Sequence, residues 1–304
     1  MNITNNLNKE KIKGVWTAVI TPFNEDESID WESFEGLIKR QLEGNVRGLL
    51  LSGTTGESPN ITDAECVEMI KRAKKIVGEN CLIMVGSGTN STKKSIEKTK
   101  IARDAGADVA LIVNPYYNKP TQQGLYLHFK AVADSTDLPV ILYNIKGRTG
   151  VNLETPTLVR LAKETPNIIG VKEASGDLNQ IKSVCNQKLD NFAVFSGDDG
   201  LTFKVLKEYG ADGVISVASN VVPEKMASMV HFALDGKMDE AEKINEELAD
   251  LFKFLFIETN PIPVKYAIYE MKLCKNVYRL PMCPIEEEHG KIVKELLKKM
   301  NLVA

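Results

Sequence analysis

Eight short apolar runs recur along this chain of 304 residues, and a polar turn and then a segment of helical periodicity follow each of them. The runs are continuously apolar and rich in β-branched residues, which is typical of parallel strands buried on both faces. They cover residues 15–20, 48–51, 81–85, 109–113, 140–143, 168–171, 193–195 and 213–217. This repeated order of strand and helix restricts the fold more than any other feature of the sequence.

The segments between the runs have apolar residues at helical spacing. Residues 62–76 are one example, in which Thr62 and Glu65 have the spacing of a capping box. Residues 92–105, 122–135 and 155–163 have similar patterns. From Pro223 onward only helical periodicity is found, and it covers residues 225–234, 238–254, 263–272 and 285–300.

Eight consecutive strand–helix units favour a (β/α)8 TIM barrel. The alternative is a doubly wound sheet that binds a nucleotide, which would require G-x-G-x-x-G after the first strand. The segment Thr21-Pro22-Phe23-Asn24 stands there instead, and Gly86-Ser87-Gly88 is an isolated fragment of such a motif. We therefore expect a catalytic barrel over residues 1–235, with a short N-terminal segment, and a C-terminal helical extension over 236–304 packed on it.

Composition excludes several classes of protein. Lys and Arg number 38 and Asp and Glu 41, so the net charge of −3 argues against nucleic acid as a partner. The five cysteines form no CxxC pair and the three histidines are scattered, so neither a metal site nor a disulfide framework is expected. The polar opening residues lack the apolar core of a secretory signal, and no run approaches the length of a membrane span. The expectation is a cytoplasmic protein without membrane contact.

Active sites of barrels lie at the carboxyl ends of the strands, so the residues that follow the apolar runs are the candidate catalytic residues. Lys172 ends the apolar run at 168–171. An ammonium group at the end of a buried strand must be paired or must lose its proton, and a neutral lysine forms Schiff bases with carbonyl compounds. The alternatives are a solvated surface lysine or an ion pair with Glu173. Neighbouring residues of a strand point to opposite faces, which weakens the ion-pair interpretation.

Four hydroxyl groups stand at other strand ends. Tyr143 ends the fifth run and is either a proton carrier or a core tyrosine. Thr54 and Thr55 follow the second run and either continue a chain of hydroxyls or form a tight turn between glycines. Tyr117 would supply a further hydroxyl.

Charged residues at the strand ends also have two interpretations. Arg148 would clamp a carboxylate or be an ordinary surface arginine. Asp198 and Asp199 would bind a cation or, more commonly, cap the following helix. No single motif decides the function, but a lysine, a tyrosine, two threonines and an arginine would all converge on one end of a barrel.

Several motifs together resemble one family. Residues 53–57 (GTTGE), Tyr143-Asn144 followed by 148–150 (RTG), and 170–173 (GVKE) are similar to the dihydrodipicolinate synthase/N-acetylneuraminate lyase family of pyruvate-dependent class I aldolases. The resemblance covers residues 14–297 and includes 196–199, 213–216 and 260–265. The second threonine, the Tyr116-Tyr117 pair and Arg148 match the branch that condenses pyruvate with L-aspartate 4-semialdehyde.

The resemblance implies a catalytic role for four residues. Lys172 forms the Schiff base with pyruvate, and Tyr143 donates and accepts protons next to the imine. Thr54 and Tyr117 complete the proton relay, with Tyr117 reaching in from a neighbouring subunit. The reaction requires neither a metal nor an organic cofactor, and the implied assembly is a homo-oligomer, a dimer of dimers, in lysine and diaminopimelate biosynthesis.

The resemblance also implies how the substrates bind. Thr55 and the backbone near Ile215 hold the carboxylate of pyruvate, Gly197 lies in the substrate site, and Arg148 binds the carboxylate of the aldehyde. The family usually has a proline where this chain has Lys146, which leaves the placement of Arg148 open.

Feedback by lysine is expected to be weak or absent in this chain. The positions that bind lysine in inhibited members correspond here to Asp63, Cys66 and Lys94. A lysine in place of a glutamate would repel the ammonium of the effector.

Two other functions remain open at this point. One is a sialate or keto-deoxy-sugar-acid aldolase, which would prefer neutral hydrogen-bond partners to the cation Arg148. The other is a catalytically silent paralogue with a binding role, although such a copy has no chemical reason to keep a lysine at a costly buried position.

Overall fold

The computed structural model describes residues 7–304, and its centre is a closed barrel of eight parallel strands that pair in chain order. The strands are β1 (Gly14–Ala18), β2 (Gly48–Leu51), β3 (Leu82–Gly86), β4 (Val109–Val113), β5 (Val140–Asn144), β6 (Ile168–Glu173), β7 (Ala193–Ser196) and β8 (Gly213–Ser216). β1 pairs with β8 and closes the barrel. The predicted (β/α)8 TIM barrel is confirmed.

Thirteen α-helices accompany the strands in the described part of the chain. They are α1 (Lys9–Ile12), α2 (Trp31–Glu43), α3 (Asp63–Val77), α4 (Thr92–Asp104), α5 (Gln122–Asp134), α6 (Lys146–Thr149), α7 (Thr155–Glu164), α8 (Leu178–Gln187), α9 (Asp199–Tyr209), α10 (Pro223–Leu234), α11 (Met238–Phe254), α12 (Ile262–Glu270) and α13 (Glu287–Lys299). The capping box of Thr62 and Glu65 at the start of α3 is confirmed.

The predicted ends of the elements lie within two residues of the observed ones. Two differences have a local cause. β1 ends at Ala18 rather than at residue 20, because the N–H of Ile20 donates to the side chain of Asn220 instead of to a strand. β6 continues to Glu173, because Lys172 and Glu173 still pair with Tyr143 and Asn144 of β5.

Two apolar layers hold the barrel together, and each strand contributes alternate residues to them. One layer fills the barrel and includes Trp16, Met84 and Phe195. The other lies between the sheet and the surrounding helices and includes Leu49, Val85 and Val171. Because both faces of the strands are buried, the polar side chains of the site are confined to the ends of the strands.

The C-terminal helices pack on the barrel. Leu248 of α11, Val264 of α12 and Val293 of α13 belong to the same buried cluster as the outer face of the sheet. Lys265 of α12 also forms a fully buried ion pair with Glu57, which follows β2, at 2.6 Å. The division of the chain into residues 1–235 and 236–304 remains a prediction.

Residues 1–6, on which part of the expectation about a secretory signal rests, lie outside the described residues. Within 7–304 no helix combines the length and the apolar character that crossing a membrane would require.

Candidate active site

The central residue of the site is Lys172, near the carboxyl end of β6. Its side chain is only 6% exposed, and its Nζ lies 4.4 Å from the centre of the Tyr143 ring on the neighbouring strand. Burial lowers the pKa of Lys172 to about 8, against an opposing effect of the negative charge of Asp199 and with a further lowering by Arg148. A considerable fraction of the amine is therefore neutral near physiological pH.

Both alternative interpretations of Lys172 are wrong. The low exposure of the side chain excludes a solvated surface lysine. The carboxylate of Glu173 accepts hydrogen bonds from the side chain of Asn144 and from the N–H of Ser175, so it is engaged on the outer side of the strand. The alternation of side chains along β6 thus separates the lysine from its neighbour.

Tyr143 faces the same side of the sheet as Lys172. It is 6% exposed, and it belongs to the apolar layer inside the barrel together with Ile215. Burial raises the pKa of Tyr143 to about 12, although the charge of Arg148 and a hydrogen bond with Thr54 lower it. The phenol is therefore protonated at neutral pH and can donate a proton to a neighbouring atom.

The two threonines lie in a tight turn after β2. The carbonyl of Gly53 accepts from the N–H groups of Gly56 and Ser58, and the N–H of Glu57 donates to the carbonyl of Thr54. Thr54 lines the cavity described below. Thr55 is buried, and its Oγ1 accepts a hydrogen bond of 3.0 Å from Nδ2 of Asn260. The tight-turn interpretation is confirmed, and the participation of the two hydroxyl groups in a proton relay stays a prediction.

Arg148 is carried by α6, a single helical turn after β5. The N–H groups of Arg148 and Thr149 donate to the carbonyl of Ile145, and the N–H of Gly150 donates to that of Lys146. The turn therefore closes with Lys146 in the position where the family usually has proline. The guanidinium Nη2 donates to the carbonyl of Asn260 at 3.1 Å, and Arg148 lines the cavity.

A cavity of about 530 Å³ opens at this end of the barrel. Thr54, Tyr143 and Arg148 line it. So does Tyr116, whereas Tyr117 is 88% exposed and does not contribute to the wall. Within one chain, then, Thr54, Tyr143 and Arg148 share the cavity wall. Lys172 is not part of the wall and lies against the Tyr143 ring, and Tyr117 lies apart from the site.

The backbone around Lys172 leaves little space for further side chains. A Cβ atom at Gly197 would lie 2.4 Å from Cβ of Ala174 and 3.1 Å from Cε of Lys172, so only glycine permits the close approach of this loop to the lysine. Ile215 is buried in the barrel interior. Gly197 thus directly follows β7, and Ile215 lies in the neighbouring strand β8, at the end where the cavity opens.

The two aspartates after β7 have different tasks. Asp198 caps α9 by accepting from the N–H of Leu201, as the helix-capping interpretation predicted. Asp199 is buried and accepts from the N–H groups of Val217 and Ala218. Burial raises the pKa of Asp199, although hydrogen bonds to Ser216 and to these two N–H groups lower it. Its contribution to the charge balance at Lys172 was not predicted.

A second cavity, of about 490 Å³, lies beside the first. Asp63 and Lys94 line it, as does Lys98, which is paired with Asp63 at 2.5 Å. Two of the three residues predicted at the effector positions thus share one cavity. Lys94 and Lys98 also line the larger cavity, which no sequence motif indicated.

Proteins with a closed (β/α)8 barrel and a buried amine of lowered pKa beside a phenol form a class that is suited to Schiff-base chemistry on carbonyl compounds. Comparison of the chain with known proteins supports this class. The sequence profile of the Dihydrodipicolinate synthetase family matches residues 11–300. The 4-hydroxy-tetrahydrodipicolinate synthase of Thermotoga neapolitana is 43% identical over 294 residues, which are 96% of this chain and 99% of that protein.

Solved structures are similar over the same range. The dihydrodipicolinate synthase of Thermotoga maritima has a TM-score of 0.94 and 42% identity, and the match covers 96% of this chain and all of that one. The pyruvate complex of the Acinetobacter baumannii enzyme has a TM-score of 0.93 and 41% identity with the same coverage. The chain belongs to the dihydrodipicolinate synthetase family, so the family predicted from the motifs is confirmed.

Proposed function

We propose that this protein is a 4-hydroxy-tetrahydrodipicolinate synthase, which condenses pyruvate with L-aspartate 4-semialdehyde through a Schiff base on Lys172. The observation that carries the proposal is the buried lysine with a pKa of about 8 beside the Tyr143 ring. It occurs in a chain that is 43% identical to a protein of that name. The proposed pathway is the biosynthesis of diaminopimelate and lysine.

The first half of the mechanism activates pyruvate. The neutral amine of Lys172 adds to the keto carbon of pyruvate, and the loss of water gives an iminium ion. The positive nitrogen then draws electrons from the adjacent C–H bond, and the methyl proton passes to the Tyr143 oxygen, which has given its own proton to the leaving hydroxyl. The product is a nucleophilic enamine beside a protonated Tyr143. Tyr143 donates a proton to the leaving hydroxyl, and Thr54, through its hydrogen bond with Tyr143, passes protons onward.

The second half forms the new carbon–carbon bond. The enamine carbon attacks the aldehyde carbon of the second substrate, whose oxygen takes a proton from Tyr143 and becomes a hydroxyl group. The amino group of that substrate then adds to the imine carbon and closes the ring, which expels Lys172 as a free amine. The iminium nitrogen is itself the electron sink, so these steps need no metal and no organic cofactor.

Substrate recognition is assigned to the surrounding groups. Thr55 and the backbone near Ile215 bind the carboxylate of pyruvate, and Gly197 leaves space for the substrate next to Lys172. Arg148, which lines the cavity, pairs with the carboxylate of the aldehyde. A cation at this position favours a short aldehyde acid over a neutral polyol.

The assembly and the compartment are also part of the proposal. Tyr117 is a bulky residue with φ of +72°, a conformation that such residues rarely adopt, and its ring is almost fully exposed. A neighbouring subunit, in a homo-oligomer arranged as a dimer of dimers, would cover this ring and receive it in its own cavity. The five free cysteines suit the reducing environment of the cytoplasm.

The test compares aldehydes in the presence of pyruvate. Turnover with L-aspartate 4-semialdehyde and none with N-acetylmannosamine is the expected result. Arg148→Ala should raise the KM for the aldehyde roughly 10–100-fold, the loss expected from removing one charge-assisted contact. Lys146→Ala, on the same turn, is the matched control and should leave KM unchanged. Turnover only with sugar-derived aldehydes would assign the protein to the sialate or keto-deoxy-sugar-acid aldolases.

A further inference from the structure

Asn260, between α11 and α12, connects the C-terminal extension to the active site. Its side chain is 5% exposed, and its Nδ2 donates to Oγ1 of Thr55 at 3.0 Å. Its Oδ1 is buried without a hydrogen-bond partner in the described part of the chain, so the bond to Thr55 is the one that holds the carboxamide. The backbone carbonyl of the same residue accepts from Arg148 at 3.1 Å.

The direction of the Asn260–Thr55 bond determines what the threonine can do. A hydroxyl group has a single proton to donate, and it can accept at its lone pairs. Because Asn260 donates to Thr55, the proton of Thr55 remains available for a different acceptor. A carboxylate is purely an acceptor when ionised, so a hydroxyl in this state is suited to bind one.

The extension is tied to the turn at a second point. The Nζ of Lys265 and Oε1 of Glu57 are 2.6 Å apart and fully buried, and Glu57 closes the same turn that contains Thr55. The N–H of Lys265 donates to the carbonyl of Pro261, so this anchor and Asn260 are held in one short segment. A buried pair is costly to separate, which keeps the distance between Asn260 and Thr55 fixed.

We propose that Asn260 is a positioning residue that keeps the Thr55 hydroxyl oriented as a hydrogen-bond donor to the carboxylate of the keto-acid substrate. The C-terminal extension thereby sets the affinity for the first substrate. The side chain acts on Thr55, whereas the carbonyl that holds Arg148 belongs to the backbone. Substitution of the Asn260 side chain should therefore weaken the binding of the keto acid and leave the binding of the aldehyde unchanged. The inference rests on the proposed function in one respect, the binding of pyruvate by Thr55.

The experiment measures how much pyruvate is needed for half-maximal trapping of the Schiff base by borohydride, without any aldehyde. Asn260→Ala should raise this concentration about 3–10-fold, the range for loss of one hydrogen bond. Asn260→Asp should raise it further, because the new carboxylate would accept the hydrogen bond that the Thr55 hydroxyl otherwise donates to the substrate. Its negative charge would also repel the carboxylate of pyruvate. Asn276→Ala is the matched control, since Asn276 also has a buried, unpaired Oδ1 but lies outside the site.

Two further measurements separate positioning from a structural role. In a Thr55→Val background, Asn260→Ala should have no additional effect, because the group on which it acts is gone. In steady-state turnover, Asn260→Ala should raise the KM for pyruvate and leave the KM for the aldehyde within about twofold, a separation that general loosening of the fold would not give.

The inference is overturned if Asn260→Ala traps pyruvate as the parent protein does, if the effects of Asn260→Ala and Thr55→Val are additive, or if the two KM values rise together. These outcomes differ from failure of the proposed function. In that case the unaltered protein itself would form no adduct with pyruvate, or would form one and not turn over the aldehyde.

Discussion

Replacing Lys172 by methionine should abolish activity and make the protein more stable. Lys172 is buried beside the Tyr143 ring, and burial is the largest cause of its lowered pKa. Methionine has nearly the same length and no charge, so it fits the same space without the desolvation of an ammonium group. The site therefore sacrifices stability for a reactive amine.

The magnitude follows from the pKa of the folded and unfolded states. The pKa of Lys172 falls from 10.5 to about 8 on folding. Each pKa unit corresponds to about 1.4 kcal/mol, so keeping this group buried costs about 3 kcal/mol at pH 7. In return, about 9% of the amine is neutral at pH 7, roughly 300 times the fraction at the ordinary pKa.

The contribution of Lys172 to stability depends on pH. Between about pH 8 and pH 10.5 the unfolded chain binds more protons than the folded one at this site, so the stability of the parent protein rises with pH there. The methionine variant lacks this contribution. Its advantage in the free energy of unfolding should be about 3 kcal/mol at pH 7, about 1.4 kcal/mol at pH 9.5, and zero above the unfolded pKa.

Urea denaturation at equal chain concentration, followed at pH 7 and at pH 9.5, measures this difference. Lys182→Met, at an exposed position of α8, is the control and should show no gain that depends on pH. A Lys172→Met protein that unfolds at the same or a lower urea concentration at pH 7, or an advantage equal at both pH values, would refute the reasoning about Lys172.

Three further predictions concern the reaction and its regulation. Tyr143→Phe should lower kcat by about 10²–10⁴-fold, the usual scale of acid–base catalysis, while borohydride still traps some pyruvate adduct; an unchanged kcat would remove Tyr143 from the proton relay. The initial rate of adduct formation should rise with pH to a plateau with a midpoint near pH 8, in line with the lowered pKa of Lys172, and a midpoint near 10 would contradict it. Sub-millimolar L-lysine should not inhibit turnover, because Lys94 lines the neighbouring cavity, and Lys94→Glu should increase sensitivity; inhibition of the parent protein at that concentration would count against this.

The fold could be predicted from the sequence because the signals are local and repeated. Strands buried on both faces leave continuous apolar runs, and the order of strand and helix then determines the barrel. Lys172 and Tyr143 could be identified because each ends such a run, and the rule that barrel sites lie at the strand ends brings them together. The separation of Lys172 from Glu173 likewise follows from the alternation of side chains along a strand.

Other parts of the site depend on contacts between distant segments. Asn260 meets Thr55, and Lys265 meets Glu57, across more than 200 residues of the chain. No periodicity or spacing encodes these pairs, although Asn260 and Lys265 stand in one of the motifs of the family. The presence of Tyr116 rather than Tyr117 in the cavity wall of a single chain depends on the backbone of one loop, where Tyr117 has a positive φ.

Mass analysis after reduction with borohydride in the presence of pyruvate tests the central claim most directly. One reduced pyruvyl group per chain is predicted, peptide mapping should assign it to Lys172, and Lys172→Met should remain unmodified under the same conditions. An unmodified parent protein, or an adduct on another lysine with Lys172 free, would contradict the claim that this buried amine carries the reaction.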